Sequence, residues 1–149
     1  MQVRFQLLKK DPANDINVFY SVNHKKTKLN FDSVTEFTVD LSEFTNTTKV
    51  NIIIEKDEQN ESHVLIDKIW LDDEDWTYHK DWFGIYKNND AGSYMRTYGY
   101  MGNNGEYIFK IRYPFVSFKN DLTMLRHYVG YKNRLDVVNV NATPEEILS

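Results

Sequence analysis

Ser-His-Val-Leu-Ile-Asp-Lys-Ile-Trp-Leu-Asp-Asp-Glu-Asp-Trp-Thr-Tyr-His-Lys-Asp-Trp occupies residues 62–82, and its reading decides the fold. Residues 64–71 are apolar except for Asp67 and Lys68, the pattern of a central strand covered on both faces. Asp67 must then sit at an edge or accept hydrogen bonds, because an isolated buried carboxylate is costly. The strand runs into four consecutive acids, Asp72, Asp73, Glu74 and Asp75, and Trp70, Trp76 and Trp82 all lie within the same stretch.

Upstream, Val3, Phe5 and Leu7 alternate with polar residues, as do Ile16, Val18, Tyr20 and Val22, then Phe37, Val39 and Leu41, then Val50, Ile52 and Ile54. Alternation of this kind marks half-buried strands. Leu29 and Phe31 suggest a short bridging strand. Downstream, Asn88-Asn89-Asp90-Ala91-Gly92 is a turn cluster. Tyr94, Arg96, Tyr98 and Tyr100 then fall on one strand face, and Tyr107, Phe109, Ile111 and Tyr113 alternate cleanly. Asn104-Gly105 between them is a hairpin signal, so 94–101 and 105–113 are expected to pair antiparallel. Pro114 ends the run. A short helix is expected over 121–128, capped by Asn120 and stopped by Gly130, with Leu122, Leu125 and Val129 at helical spacing. Leu135, Val137, Val138 and Val140 read as a last strand. Short strands with frequent turns indicate an all-β, antiparallel, jelly-roll-like β-sandwich with one short helix near the C-terminus. The sandwich is expected over 1–142. Residues 143–149 form a tail whose Ile147 and Leu148 either fray or dock on a neighbour.

Composition agrees. With 149 residues the chain fits one domain, and an aromatic share of 15%, including ten tyrosines, favours pleated surfaces. A net charge of −4 argues against nucleic acid as partner; Lys25, Lys26 and Lys28, the densest basic group, read as a solvated hairpin tip. The absence of cysteine excludes disulfides, thiolate metal sites and cysteine nucleophiles. The N-terminus lacks the apolar core of a signal peptide and no apolar run reaches membrane-spanning length, so synthesis in a cytoplasm with no membrane partner is expected.

Two constellations carry chemistry. The acids Asp72, Asp73 and Asp75 offer oxygen ligands to calcium, although consecutive side chains diverge and the glycine and glutamate of a calcium loop are missing. Trp76, Trp82, Tyr94, Arg96, Tyr98 and Tyr100 have the composition of a protein interface or a stacking platform for sugars. The four histidines are scattered without metal-ligand spacing, and nucleophile and phosphate-loop motifs are absent. No catalytic residue is assigned.

Asp67-Lys68-Ile69-Trp70-Leu71-Asp72-Asp73, followed by Gly99-Tyr100-Met101-Gly102-Asn103-Asn104-Gly105-Glu106-Tyr107-Ile108-Phe109, resembles small β-sandwich structural proteins of tailed bacteriophages. The first segment also resembles the strand and acidic turn of jelly-roll carbohydrate-binding modules. The resemblance covers residues 50–118. It implies a non-enzymatic virion component of head, neck or tail, made in the host cytoplasm and assembled as a homo-oligomer or with other virion proteins. The alternative is a carbohydrate-binding module, calcium-assisted, that recognises a host surface glycan.

Overall fold

The computed structural model describes residues 1–10, 16–57 and 61–135, with side chains described as far as residue 129. In chain order the strands are β1 (Gln2–Lys10), β2 (Ile16–Val22), β3 (Lys25–Leu29), β4 (Val34–Asp40), β5 (Thr48–Lys56), β6 (His63–Leu71), β7 (Glu74–Asp75), β8 (Gly84–Asn88), β9 (Ser93–Met95), β10 (Tyr100–Met101) and β11 (Gly105–Ile111), followed by one helix, α1 (Phe115–Leu135). They form two antiparallel sheets, one in the order β10-β6-β1-β4 with β7 beside β6, the other in the order β3-β2-β5-β11-β8-β9. The result is the jelly-roll-like β-sandwich that the alternating sequence implies.

The inward positions of each strand meet between the sheets. Phe5 of β1 lies 5.1 Å from Phe109 of β11 between ring centroids, and Tyr20 of β2 stacks on Phe37 of β4 at 4.2 Å. Phe5, Leu7, Ile52, Ile69, Leu71, Tyr107 and Phe109 are fully enclosed. Burial of that much apolar surface is what holds two sheets face to face.

β6 differs from its expected form. Val64 and Ile66 point inward, but so do Ile69 and Leu71, which shifts the alternation by one residue. The register against β1 explains it: Phe5 opposes Ile69 and Gln6 opposes Lys68, yet Leu7 opposes Ile66. Asp67 is the extra residue of a β-bulge. Gln6 Nε2 donates to its Oδ2 at 3.2 Å, so this carboxylate is hydrogen-bonded, as the sequence requires. The apparent two-faced burial of 64–71 is this change of phase. Trp70 faces outward beneath the Arg4 guanidinium, 3.9 Å from its ring centroid.

Residues 94–101 do not pair with β11. β9 joins β8, and β10 joins β6 in the other sheet, so the Asn103-Asn104-Gly105 turn carries the chain from one sheet to the other. The lysine-rich segment is strand rather than tip: the turn falls at Asn23 and His24, both at positive φ, and Lys25, Lys26 and Lys28 lie along β3 at the sheet's edge.

α1 starts at Phe115 rather than Asp121 and continues past Gly130, where an end was expected. Phe118 N donates to the Pro114 carbonyl at 3.1 Å, which makes the first turn. Phe115, Phe118, Leu122 and Leu125 are buried and share one stripe at three- and four-residue spacing. Leu135 belongs to the helix rather than to a strand; the rest of the expected last strand and the docking residues Ile147 and Leu148 lie outside the described residues. Because Leu122 is completely enclosed, Leu122→Ala is expected to lower stability by about 3 kcal/mol. Urea unfolding should show this as a lower midpoint with unchanged slope, in a single transition shared by helix and sheets.

Candidate functional site

The end of β6 fixes the segment that follows it. Trp76 N donates to Ile69 O at 2.9 Å, Ile69 N donates to Thr77 Oγ1 at 3.3 Å, and Thr77 N donates to Asp75 Oδ1 at 2.8 Å. A kinked 3-10 helix, Thr77–Trp82, is thereby held against the sandwich. Its Lys80 and Asp81 are 9% and 5% exposed, which is unusual for charged side chains. Lys80 Nζ donates to Thr77 O at 2.7 Å, and burial lowers its pKa.

Asp81 organises the loop between β9 and β10. Its Oδ1 accepts from the Tyr107 hydroxyl, and its Oδ2 accepts from Tyr98 N at 3.0 Å. The Tyr107 oxygen in turn accepts from Gly99 N at 3.2 Å, and Arg96 Nη1 donates to the Asp81 carbonyl at 3.2 Å. Burial, then the hydrogen bond to Asp81, raises the Tyr107 pKa, so the phenol stays protonated and donates. Tyr98 and Gly99 both have positive φ, +53° and +91°, inside a turn closed by Tyr100 N donating to Thr97 O at 3.1 Å. That is the backbone of a type I′ turn, which suits glycine but strains tyrosine. A Cβ at Gly99 would lie 2.7 Å from Lys80 Cε and 2.8 Å from Ile66 O, so no other residue fits.

This turn lifts the Tyr98 ring into solvent, where it is 75% exposed. Tyr78, on the 3-10 helix, is 90% exposed. Both line a first cleft of about 340 Å³, with Asp67, Lys68, Asp75 and Lys80 among its other walls. Hydrogen bonds from Thr77 hold the Asp75 carboxyl below its ordinary pKa, so it is an anionic acceptor. A second cleft of about 580 Å³ lies against the outer face of the second sheet. Trp82 and Tyr94 line it, over Ile85 and Ile108, with Lys49 and Lys110 beside them.

The residues expected to share one aromatic face are therefore divided. Tyr98 lines the first cleft; Trp82 and Tyr94 line the second. Trp76 is wholly buried beneath the Arg126 guanidinium, 3.4 Å from the ring centroid, and offers no platform. Arg96 braces the Asp81 backbone. Tyr100 is half-exposed on β10 and packs on His63, with ring centroids 5.0 Å apart. The acidic turn meets cations from α1: Lys119 Nζ lies 3.1 Å from Asp72 and 3.7 Å from Glu74, and Arg126 lies 3.4 Å from Glu74. A hydrogen bond from Gln2 N, then the contact with Lys119, holds the Asp72 carboxyl below its ordinary pKa. Among the described residues, no three His, Cys, Asp or Glu side chains converge as a metal centre, and Asp72, Asp73 and Asp75 do not gather on one point.

From sequence, Asp67 and Lys68 stand out only as polar exceptions within a strand, and Tyr78, Lys49 and Lys110 are not named as site residues. Tyr78 follows the acidic run within the stretch that decides the fold, which was the available signal.

Asp81→Ala is expected to cost about 3 kcal/mol, since it strands the buried Tyr107 hydroxyl and the Tyr98 amide. Hydrogen exchange at Tyr98 and Gly99 should accelerate beyond what the global loss explains. A second expectation concerns pH. Burial, then the nearby Arg126 charge, lowers the His79 pKa in the folded state. As pH falls below about 6.5, the unfolded chain takes up a proton that folded His79 resists, so stability present above that value declines. The drop in melting temperature between pH 7.5 and 5.5 should be smaller in His79→Asn.

No protein-family model matches the chain, and no curated protein matches it. Among solved structures, one described as vCBM60 in complex with galactobiose is similar over 73% of this chain and 97% of its own, at 13% identity and a TM-score of 0.49. A second, the selenomethionine form of vCBM60 from work on circular permutation linking two families of calcium-dependent carbohydrate binding modules, is similar over 72% of this chain and 88% of its own, at 14% identity and a TM-score of 0.46.

Proposed function

We propose that this chain is a non-catalytic glycan-binding module whose ligand site is the cleft between Tyr78 and Tyr98. One observation carries the reading: a left-handed tyrosine, tied to a buried carboxylate, holds its ring in water beside a polar cleft. Backbone strain held at an exposed side chain points to function rather than to packing. A sugar ring matches what the cleft offers. Its apolar C–H face suits a tyrosine ring, and its hydroxyls suit carboxylate acceptors such as Asp67 and Asp75 and a donor such as Lys68. At about 340 Å³ the cleft suits a short saccharide rather than a large cofactor.

The chemistry of Asp75 supports binding. Glycoside hydrolysis needs a carboxylic acid whose pKa is raised so that it can donate a proton. Asp75 is shifted the other way. The virion-assembly reading gains no support from the tyrosines placed on its interface, because they do not form one surface.

Calorimetric titration with oligosaccharides chosen from a glycan array should give saturable binding. Tyr78→Ala and Tyr98→Ala should each weaken it about tenfold, the loss of one stacking ring, with the melting temperature held or raised. An array on which nothing binds, or binding indifferent to both tyrosines, would overturn the assignment.

A further inference from the structure

The second cleft differs in charge from the rest of the molecule. The chain carries a net charge of −4, yet among the described residues no carboxylate lines this cleft, whereas Lys49, Lys110 and Arg112 all do. Arg112 is occupied by Asp121, 3.1 Å from its Nη2. Lys49 and Lys110 have no anionic partner among the described residues. They stand directly opposite each other on β5 and β11. Like charges paired across two strands oppose folding. Glu106, on the same face of β11, is held by Asn51 Nδ2 at 3.4 Å and does not relieve them. Beside this cationic pair are the Trp82 and Tyr94 rings over an apolar floor of Ile85 and Ile108.

We propose that this cleft is a second saccharide site, selective for uronic acid residues of an acidic polysaccharide. Trp82 and Tyr94 take the C–H face of the pyranose, and the Lys49 and Lys110 ammonium groups take its carboxylate. The bound anion supplies the countercharge that the fold leaves out. The inference rests on the glycan reading as to ligand class, but on different residues, so the two separate in experiment.

Binding to polygalacturonate, to its fully methyl-esterified form and to a single-stranded oligonucleotide is measured by calorimetry at two salt concentrations. The expected result is binding of polygalacturonate at least about tenfold tighter than of the ester, weakening as salt rises. Lys49→Ser/Lys110→Ser should weaken it by about tenfold or more. Trp82→Ala should weaken it as well, and Tyr98→Ala should leave it unchanged. The double lysine variant should also melt at the same or a higher temperature, since a repulsive pair has been removed. Several outcomes overturn the proposal: no binding of polygalacturonate, equal binding of acid and ester, indifference to the lysines or to Trp82, an oligonucleotide that binds as tightly, or a lower melting temperature in the lysine variant. Loss of polygalacturonate binding in Tyr98→Ala would also overturn it, by assigning the acid to the first cleft. If neutral saccharides fail to bind while these expectations hold, the first cleft's assignment falls and this one stands.

Discussion

A carboxylate withdrawn from water is the constraint on which the first cleft depends. Asp81 is nearly enclosed, and its burial is tolerated because the Tyr107 hydroxyl and the Tyr98 amide donate to it. Tyr107 belongs to the middle of a core strand, so a surface turn is tied through two hydrogen bonds to the centre of the second sheet. The first sheet is joined as well, because Ile66 N donates to the Gly99 carbonyl at 2.8 Å. One side chain thus couples two sheets, a 3-10 helix and a strained turn. A network of that kind fixes geometry more firmly than separate contacts do.

The acidic run plays a different part from the one its composition suggests. Asp72 and Glu74 receive Lys119 and Arg126 from the helix, and Arg126 also covers Trp76. These ion pairs are partly exposed and weak one by one. They set the helix's position along the sandwich, while Phe118 and Leu122 supply the burial. Carboxylates engaged by lysine and arginine already have their countercharge.

The sandwich was legible because alternation marks the burial of one strand face, and β1, β2, β4, β5 and β11 all carry it. Sequence could not show which sheet a short strand joins. β9 and β10 are three and two residues long, too short for an alternating pattern to assign them to a sheet. The helix was found but cut short, since Pro114 reads equally as the end of a strand and as the residue before a helix, and Phe115 and Phe118 were not recognised as its first apolar turn. At the site, the sequence leaves open whether Tyr94, Tyr98 and Tyr100 are core or surface; Trp82, Tyr94 and Tyr98 line clefts, but not the same one. Spacing in strand register puts Tyr94, Tyr98 and Tyr100 on one face; the positive φ at Tyr98 breaks that register. Trp76 was misread because a tryptophan beside four acids looks exposed until a distant arginine is known to lie on it.

The lysines of β3 bear on how this protein behaves in a crowd. An edge strand presents a row of unsatisfied amide and carbonyl groups, on which any other strand can add itself. Here that row carries Lys25, Lys26 and Lys28, all exposed, and Lys26 is steadied over the Phe19 ring at 3.9 Å with Glu55 at 2.8 Å. A second copy approaching by the same edge would bring three more ammonium groups against these three. The lysines thereby discourage, at this edge, the endless strand-by-strand growth that leads to fibrils.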